Sequence, residues 1–189
     1  MEADWSVEIG PGLPVIDVVW DGFVDLRSSP DKVDTIEEAR RQPAIREALL
    51  ALNAAGSHLI TTKCDCWSLT GAEIDPDEFS ASRKAASMGF ASYIDVVDCE
   101  PDRFVSFELQ EQRARAITST LSTLELGQGR VDLVVRAAVQ STQNGFGLTL
   151  YAAGCGASEA DAHAAWQAVL AAAAAATIAA ATQFPCMGE

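Results

Sequence analysis

Histidine is close to absent from this chain, with two in 189 residues, His58 and His163. That scarcity leaves little room for imidazole acid–base chemistry or a His-rich metal centre. Basic side chains are few as well: thirteen Lys and Arg face twenty-seven carboxylates, for a net charge of -14. Such a deficit argues against nucleic acid as a partner, because affinity for phosphate backbones comes mainly from Lys and Arg displacing counterions. It argues equally against an anionic membrane surface. The phosphate-cradling G-x-x-x-x-G-K-[ST], dinucleotide G-x-G-x-x-G and metalloprotease H-E-x-x-H patterns are all missing. The opening residues Met1-Glu2-Ala3-Asp4-Trp5 lack the basic and apolar regions of a secretory signal. With an odd count of five cysteines, this predicts reduced thiols and a cytoplasmic location rather than a disulfide framework. Long, strongly apolar runs are missing too. The Ala-rich stretch 164–181 comes nearest, yet alanine is barely apolar, Gln167 interrupts the run and no basic flank follows. A buried helix is expected there rather than a membrane span.

What is present is ordinary globular material. Hydrophobic residues make up 49% and charged residues 21%, and the length suits one domain with a sizeable core. Residues 5–9, Gly10-Pro11-Gly12 and 14–20 suggest a strand, a turn and a second strand. A helical pattern begins near Asp34. Pro43 starts its main piece, Ile45, Leu49 and Leu52 share a face, and Gly56 ends it. Residues 58–67 and 90–97 have strand character, separated by an acidic loop and a short helix over 77–88. A long helix is expected over 102–124. Val131, Leu133, Val135, Ala137 and Val139 alternate with Asp132, Arg136 and Gln140, the pattern of a half-exposed strand. Asn144-Gly145 marks a turn into a partner strand over 146–153. Ser158 and Asp161 have capping-box spacing and open a last helix running to about Thr182, ahead of Phe184-Pro185. The order predicts an α+β fold in a single domain, 1–189: a mixed, mainly antiparallel sheet with helices packed over one face.

Several groups carry candidate chemistry. Cys64 and Cys66 stand two apart on a predicted strand, so both thiols share a face. They could give half of a zinc site completed by Cys99, Cys155 or His58, although structural zinc usually uses C-x-x-C pairs. The favoured expectation is that they fill the layer between sheet and helix, as buried free cysteines do. Cys155, flanked by Gly154 and Gly156, falls between a predicted strand and a helix start. There, N–H donors and the dipole would lower a thiol pKa, with His58 or His163 as the available bases. The same turn, Gly154 and Gly156 to Ser158, is a candidate anion site. A glycine-rich β–α turn without chemistry is the favoured expectation. Glu73, Asp75, Asp77 and Glu78 lack regular calcium-loop spacing and are expected to be solvated. Asp17, Asp95 and Asp98 sit among apolar neighbours and need partners if buried. Trp5, Trp20, Trp67 and Trp166 either close the core at element ends or line a cleft.

Three functional expectations follow. The leading one is a non-catalytic interaction protein whose negative charge steers it onto a basic protein partner, in the manner of an antitoxin or immunity protein. The second is a thiol or zinc protein built on Cys64, Cys66 and Cys155. The third is a small-molecule-binding domain with a Trp-lined cleft over the sheet.

Overall fold

The computed structural model describes residues 1–79 and 81–183. Their framework is a six-stranded mixed sheet, mostly antiparallel. The strands are β1 (Glu2–Glu8), β2 (Ile16–Asp17), β3 (Leu59–Thr70), β4 (Met88–Asp98), β5 (Gly129–Gln140) and β6 (Gln143–Gly156). In space they run β1-β5-β6-β4-β3, with β2 continuing the β1 edge alongside β5. The helices are α1 (Glu37–Arg41), α2 (Pro43–Leu52), α3 (Pro101–Phe104), α4 (Phe107–Leu121) and α5 (Glu159–Gln183).

Strand alternation sorts the side chains between two layers. Val131, Leu133 and Val135 of β5, Leu148, Leu150 and Ala152 of β6, and Ile94 and Val96 of β4 join one apolar cluster. Ile45, Leu49 and Leu52 of α2, Ile117 and Leu121 of α4, and Trp166, Val169 and Leu170 of α5 complete it. The α5 helix is long and apolar enough by length and composition to cross a membrane. Here its inner flank lies against the sheet, with Trp166, Val169, Leu170, Ala173 and Ala181 fully covered. Small residues allow that approach: a β-carbon at Gly154 would meet the Trp166 backbone nitrogen at 2.2 Å, and one at Gly156 the Ala162 nitrogen at 2.5 Å.

Some expectations need correction at the element level. The two N-terminal strands do not pair with each other; both lie parallel to β5, and the second is only two residues long. The β5–β6 turn is at Ser141-Thr142, with Ser141 at φ 56°, whereas Asn144 and Gly145 pair within the ladder. Gly145 is needed for space, since a β-carbon there would sit 2.5 Å from the Phe104 ring. In the segment expected as a helix over 77–88, the described residues form a 3-10 turn, Pro76–Phe79, and a second turn at 83–85 ahead of β4. The long helix is two, because Ser106 caps α4 by accepting the Leu109 N–H at 3.2 Å. Phe184 and Pro185 lie outside the described residues.

At that break sits a buried ionic cluster. Asp98 accepts from Gln110 Nε2 at 2.7 Å and from Arg113, and lies 3.1 Å from Arg103 Nε. Arg103 also donates to the Ala181 carbonyl near the end of α5. One carboxylate thus ties β4, α3, α4 and α5 together.

Candidate functional site

Among the described residues, the face of the sheet turned away from α2, α4 and α5 is covered at its two ends. At one end Ile16 and Val18 lie over Val97, Ala138 and Phe104. The strap continues to Trp20, whose indole Nε1 donates to the Thr62 carbonyl at 3.0 Å. At the other end Ile74, Phe79 and Ala86 cover Cys155 and Ala153. Between these covers lies a strip whose outermost groups are rings and charged side chains, with Val134, Asp95 and Thr149 buried beneath them.

A row of rings crosses this strip. Trp67 of β3 stands 6.4 Å from Tyr93 of β4, and Tyr93 stands 6.0 Å from Tyr151 of β6, both pairs tilted. These spacings suit mutually stabilising aromatic pairs. The Arg136 guanidinium of β5 lies 5.9 Å from the Tyr151 ring and is held by Glu8 of β1 at 2.9 Å. Register explains the alignment: Asp65 faces Tyr93, Tyr93 faces Tyr151, Tyr151 faces Asp132, and Asp132 faces Asp4. The row therefore runs across the strands at one level.

Carboxylates border the rings. On β1 the alternating Glu2, Asp4 and Glu8 point to this side, opposite Arg130, Asp132 and Arg136. Arg130 is forked onto Asp132 at 2.6 and 2.8 Å and also reaches Glu78 at 3.6 Å. With Asp65 and Glu73, seven carboxylates border the rings beside two guanidiniums, and Asp95 lies on the same face with Lys63 near it. A groove of about 400 Å³ runs between Trp67, Phe79, Val134 and Tyr151, with Glu8, Glu78, Arg130 and Arg136 on its walls.

Burial also shapes the ionisable groups. Asp95, below the ring row, accepts from the Thr149 hydroxyl at 2.6 Å. Desolvation raises its pKa above the ordinary carboxyl value, opposed by the Thr149 bond and by Arg136 and Lys63. Desolvation, with Asp95 and Asp65 nearby, pushes the Tyr93 phenol up to about 12. The Tyr93 phenol therefore stays neutral at pH 7. The strip presents flat π-faces and charged side chains.

The thiols and imidazoles take other positions. Cys64 and Cys66 do share a face, the helix-covered one, and pack at the margin of the main core. Desolvation, aided by nearby acidic groups, holds Cys64 at about 12 and Cys66 at about 11. His58, at φ 58° before β3, pairs with Glu100 at 2.7 Å, and its carbonyl accepts the Cys99 N–H at 3.0 Å. Among the described residues no three of His, Cys, Asp and Glu form a group able to hold a metal ion.

Cys155 lies inside β6 rather than in a turn. It points to the ring-bearing side beneath Ile74 and Phe79, where burial raises its pKa. His163 sits on the helix side, bonded to Gln42 at 2.8 Å and packed on Phe90 and Trp166. The sheet thus stands between this thiol and this imidazole. At the start of α5, the Ser158 hydroxyl bonds the Asp161 carboxylate at 2.6 Å and accepts the Asp161 N–H at 3.2 Å. Helix backbone fills the space over Gly154 and Gly156.

The tryptophans divide between both expectations. Trp166 is fully buried and donates to Ser92 at 2.9 Å. Trp20 and Trp67 remain 39% and 38% exposed, and each lines a cleft. Tyr93, Tyr151, Arg136 and Glu8 were not singled out from sequence. The available signal was that the chain's two tyrosines both fall on predicted strands, at positions alternating with aliphatic residues. No known protein family, curated protein or solved structure matches the chain, so a functional reading rests on this geometry.

Proposed function

We propose that the protein is a non-catalytic binding module that docks a basic segment of a partner protein on the ring-bearing face of its sheet. One observation carries this reading: a continuous row of rings, Trp67–Tyr93–Tyr151, set among an excess of carboxylates. Lysine and arginine side chains suit such a surface twice over. Their charge is attracted by the acidic border, and their stems and guanidinium planes pack on aromatic faces. Trp is also the residue type most often found to dominate binding energy at interfaces. The net charge of -14 supplies long-range attraction that speeds capture of a cationic partner. Docking of this kind is how a small acidic protein masks a basic one, so a neutralising role of antitoxin or immunity type fits within the proposal.

The test is selection of random displayed peptides on the immobilised protein, followed by titration of the selected sequences. Lys/Arg-rich winners are expected, with affinity falling steeply as salt rises. Trp67→Ala should weaken them by about tenfold or more, and Asp65→Asn by less. Neutral or acidic winners, or winners indifferent to Trp67→Ala, would overturn the proposal.

A further inference from the structure

A second cleft, apart from the ring row, opens at the outer edge of β3. It has a volume of about 300 Å³ and lies between the strap at Trp20 and the start of α1. Its floor is the one irregularity in the β3–β4 ladder. Thr61 pairs with Val96 and Cys64 with Ile94, so Thr62 and Lys63 together oppose the single residue Asp95. An extra residue of this kind is a β-bulge, a feature that re-aims side chains and concentrates beside functional sites.

Three polar side chains line the cleft wall, a buried hydroxyl without a partner and two half-exposed charges. Thr62 is 7% exposed, and its hydroxyl has no hydrogen-bond partner. Lys63 rests its ammonium 5.2 Å over the Trp20 ring, with no ion pair or hydrogen bond among the described residues. Glu38 stands on the opposite wall, and its carboxylate likewise has no ion pair or hydrogen bond among the described residues. Its neighbour Glu37 is engaged by Arg41. Lys63 and Glu38 thus carry opposite charges into one small cleft without reaching each other. The rest of the wall is apolar, from Val24, Ile36 and Leu49.

We propose that this cleft binds a small zwitterion, a free amino acid with an apolar or short side chain. Its carboxylate meets Lys63 and the Thr62 hydroxyl, its ammonium meets Glu38, and its side chain lies against Trp20 and the aliphatic wall. A ligand carrying only one of these charges leaves the other group of the cleft unpaired. The volume sits at the small end of ligand pockets, about 300 Å³, which suits a molecule of this size. The site is separate from the ring row, so either proposal can fail without the other.

The twenty free L-amino acids serve as probes, read by thermal shift and by fluorescence of the exposed Trp20. At least one is expected to raise the melting temperature and bind saturably. Its matched amine and matched carboxylic acid, each lacking one charge, should bind at least about tenfold more weakly. Lys63→Met and Glu38→Gln should each cost about tenfold in affinity, and Trp67→Ala should cost nothing. Thr62→Val gives a readout that a purely structural role would not. Losing an unpaired buried hydroxyl should raise the melting temperature of the free protein while lowering affinity for the amino acid. The proposal is overturned if no amino acid binds up to ~10 mM, if the singly charged analogues bind equally well, or if Lys63→Met and Glu38→Gln bind as the parent does.

Discussion

At the scale of single residues, burial decides what the chemistry-bearing groups do. Asp95 carries a desolvation cost with a single hydrogen-bond partner, Thr149, so its folded pKa lies above the ordinary value of 3.8. Between those two values the folded state holds a proton that the unfolded state has lost. For this group, stability therefore falls as pH rises through that window and stays lowered above it. Asp95→Asn should raise the melting temperature at pH 7 and remove this part of the pH dependence. A melting temperature unchanged or lower at pH 7 would refute the assignment. Asp98 is the opposite case, a buried carboxylate bound by Gln110 and two arginines. Asp98→Ala strands two guanidiniums in the interior and should cost about 3–5 kcal/mol in denaturant unfolding. Cys64, Cys66 and Cys155 all have raised pKa values. Iodoacetamide at pH 8 should modify them only as the protein unfolds, and mass spectrometry of the native protein checks this.

At the scale of elements, α5 and β6 show how composition becomes geometry. Alanines on the helix and glycines at 154 and 156 remove the side chains that would hold the two apart. Gly154→Ala would force a β-carbon into the Trp166 backbone and should destabilise by about 3 kcal/mol, the upper end of overpacking costs. A change under ~0.5 kcal/mol, the usual effect of a surface substitution, would show that the contact is not tight. The order of strands and helices was legible in the sequence because alternation and helical spacing are local signals. Ile45, Leu49 and Leu52 do form the buried stripe of α2, and Ser158 does cap α5 by accepting the Asp161 N–H, although the Asp161 carboxylate takes the Ser158 hydroxyl and not its backbone N–H. The misplaced β5–β6 turn had a non-local cause. Asn144-Gly145 has turn chemistry, but Gly145 answers to Phe104, forty-one residues away in the chain.

For the molecule as a whole, the charge acts in two directions. A net charge of -14 repels itself in the compact state. Raising salt should therefore increase the melting temperature of the free protein while weakening any basic peptide held on the ring-bearing face. Differential scanning at low and high salt, beside peptide titrations under the same conditions, tests both signs together. A melting temperature that falls with salt would mean that the carboxylates are better compensated than the fold suggests.

The amino-acid order alone settled the alternation of elements, the mixed α+β class and the pairing of Cys64 with Cys66 on one side of a strand. Each of these depends on periodicities of two or about 3.6 residues along the chain. The ring row, the separation of Cys155 from His163, and the meeting of Trp20 with Thr62, Lys63 and Glu38 came only with folding. They depend on which strands become neighbours and in what register, and pairing between distant segments leaves no local periodic trace in the chain.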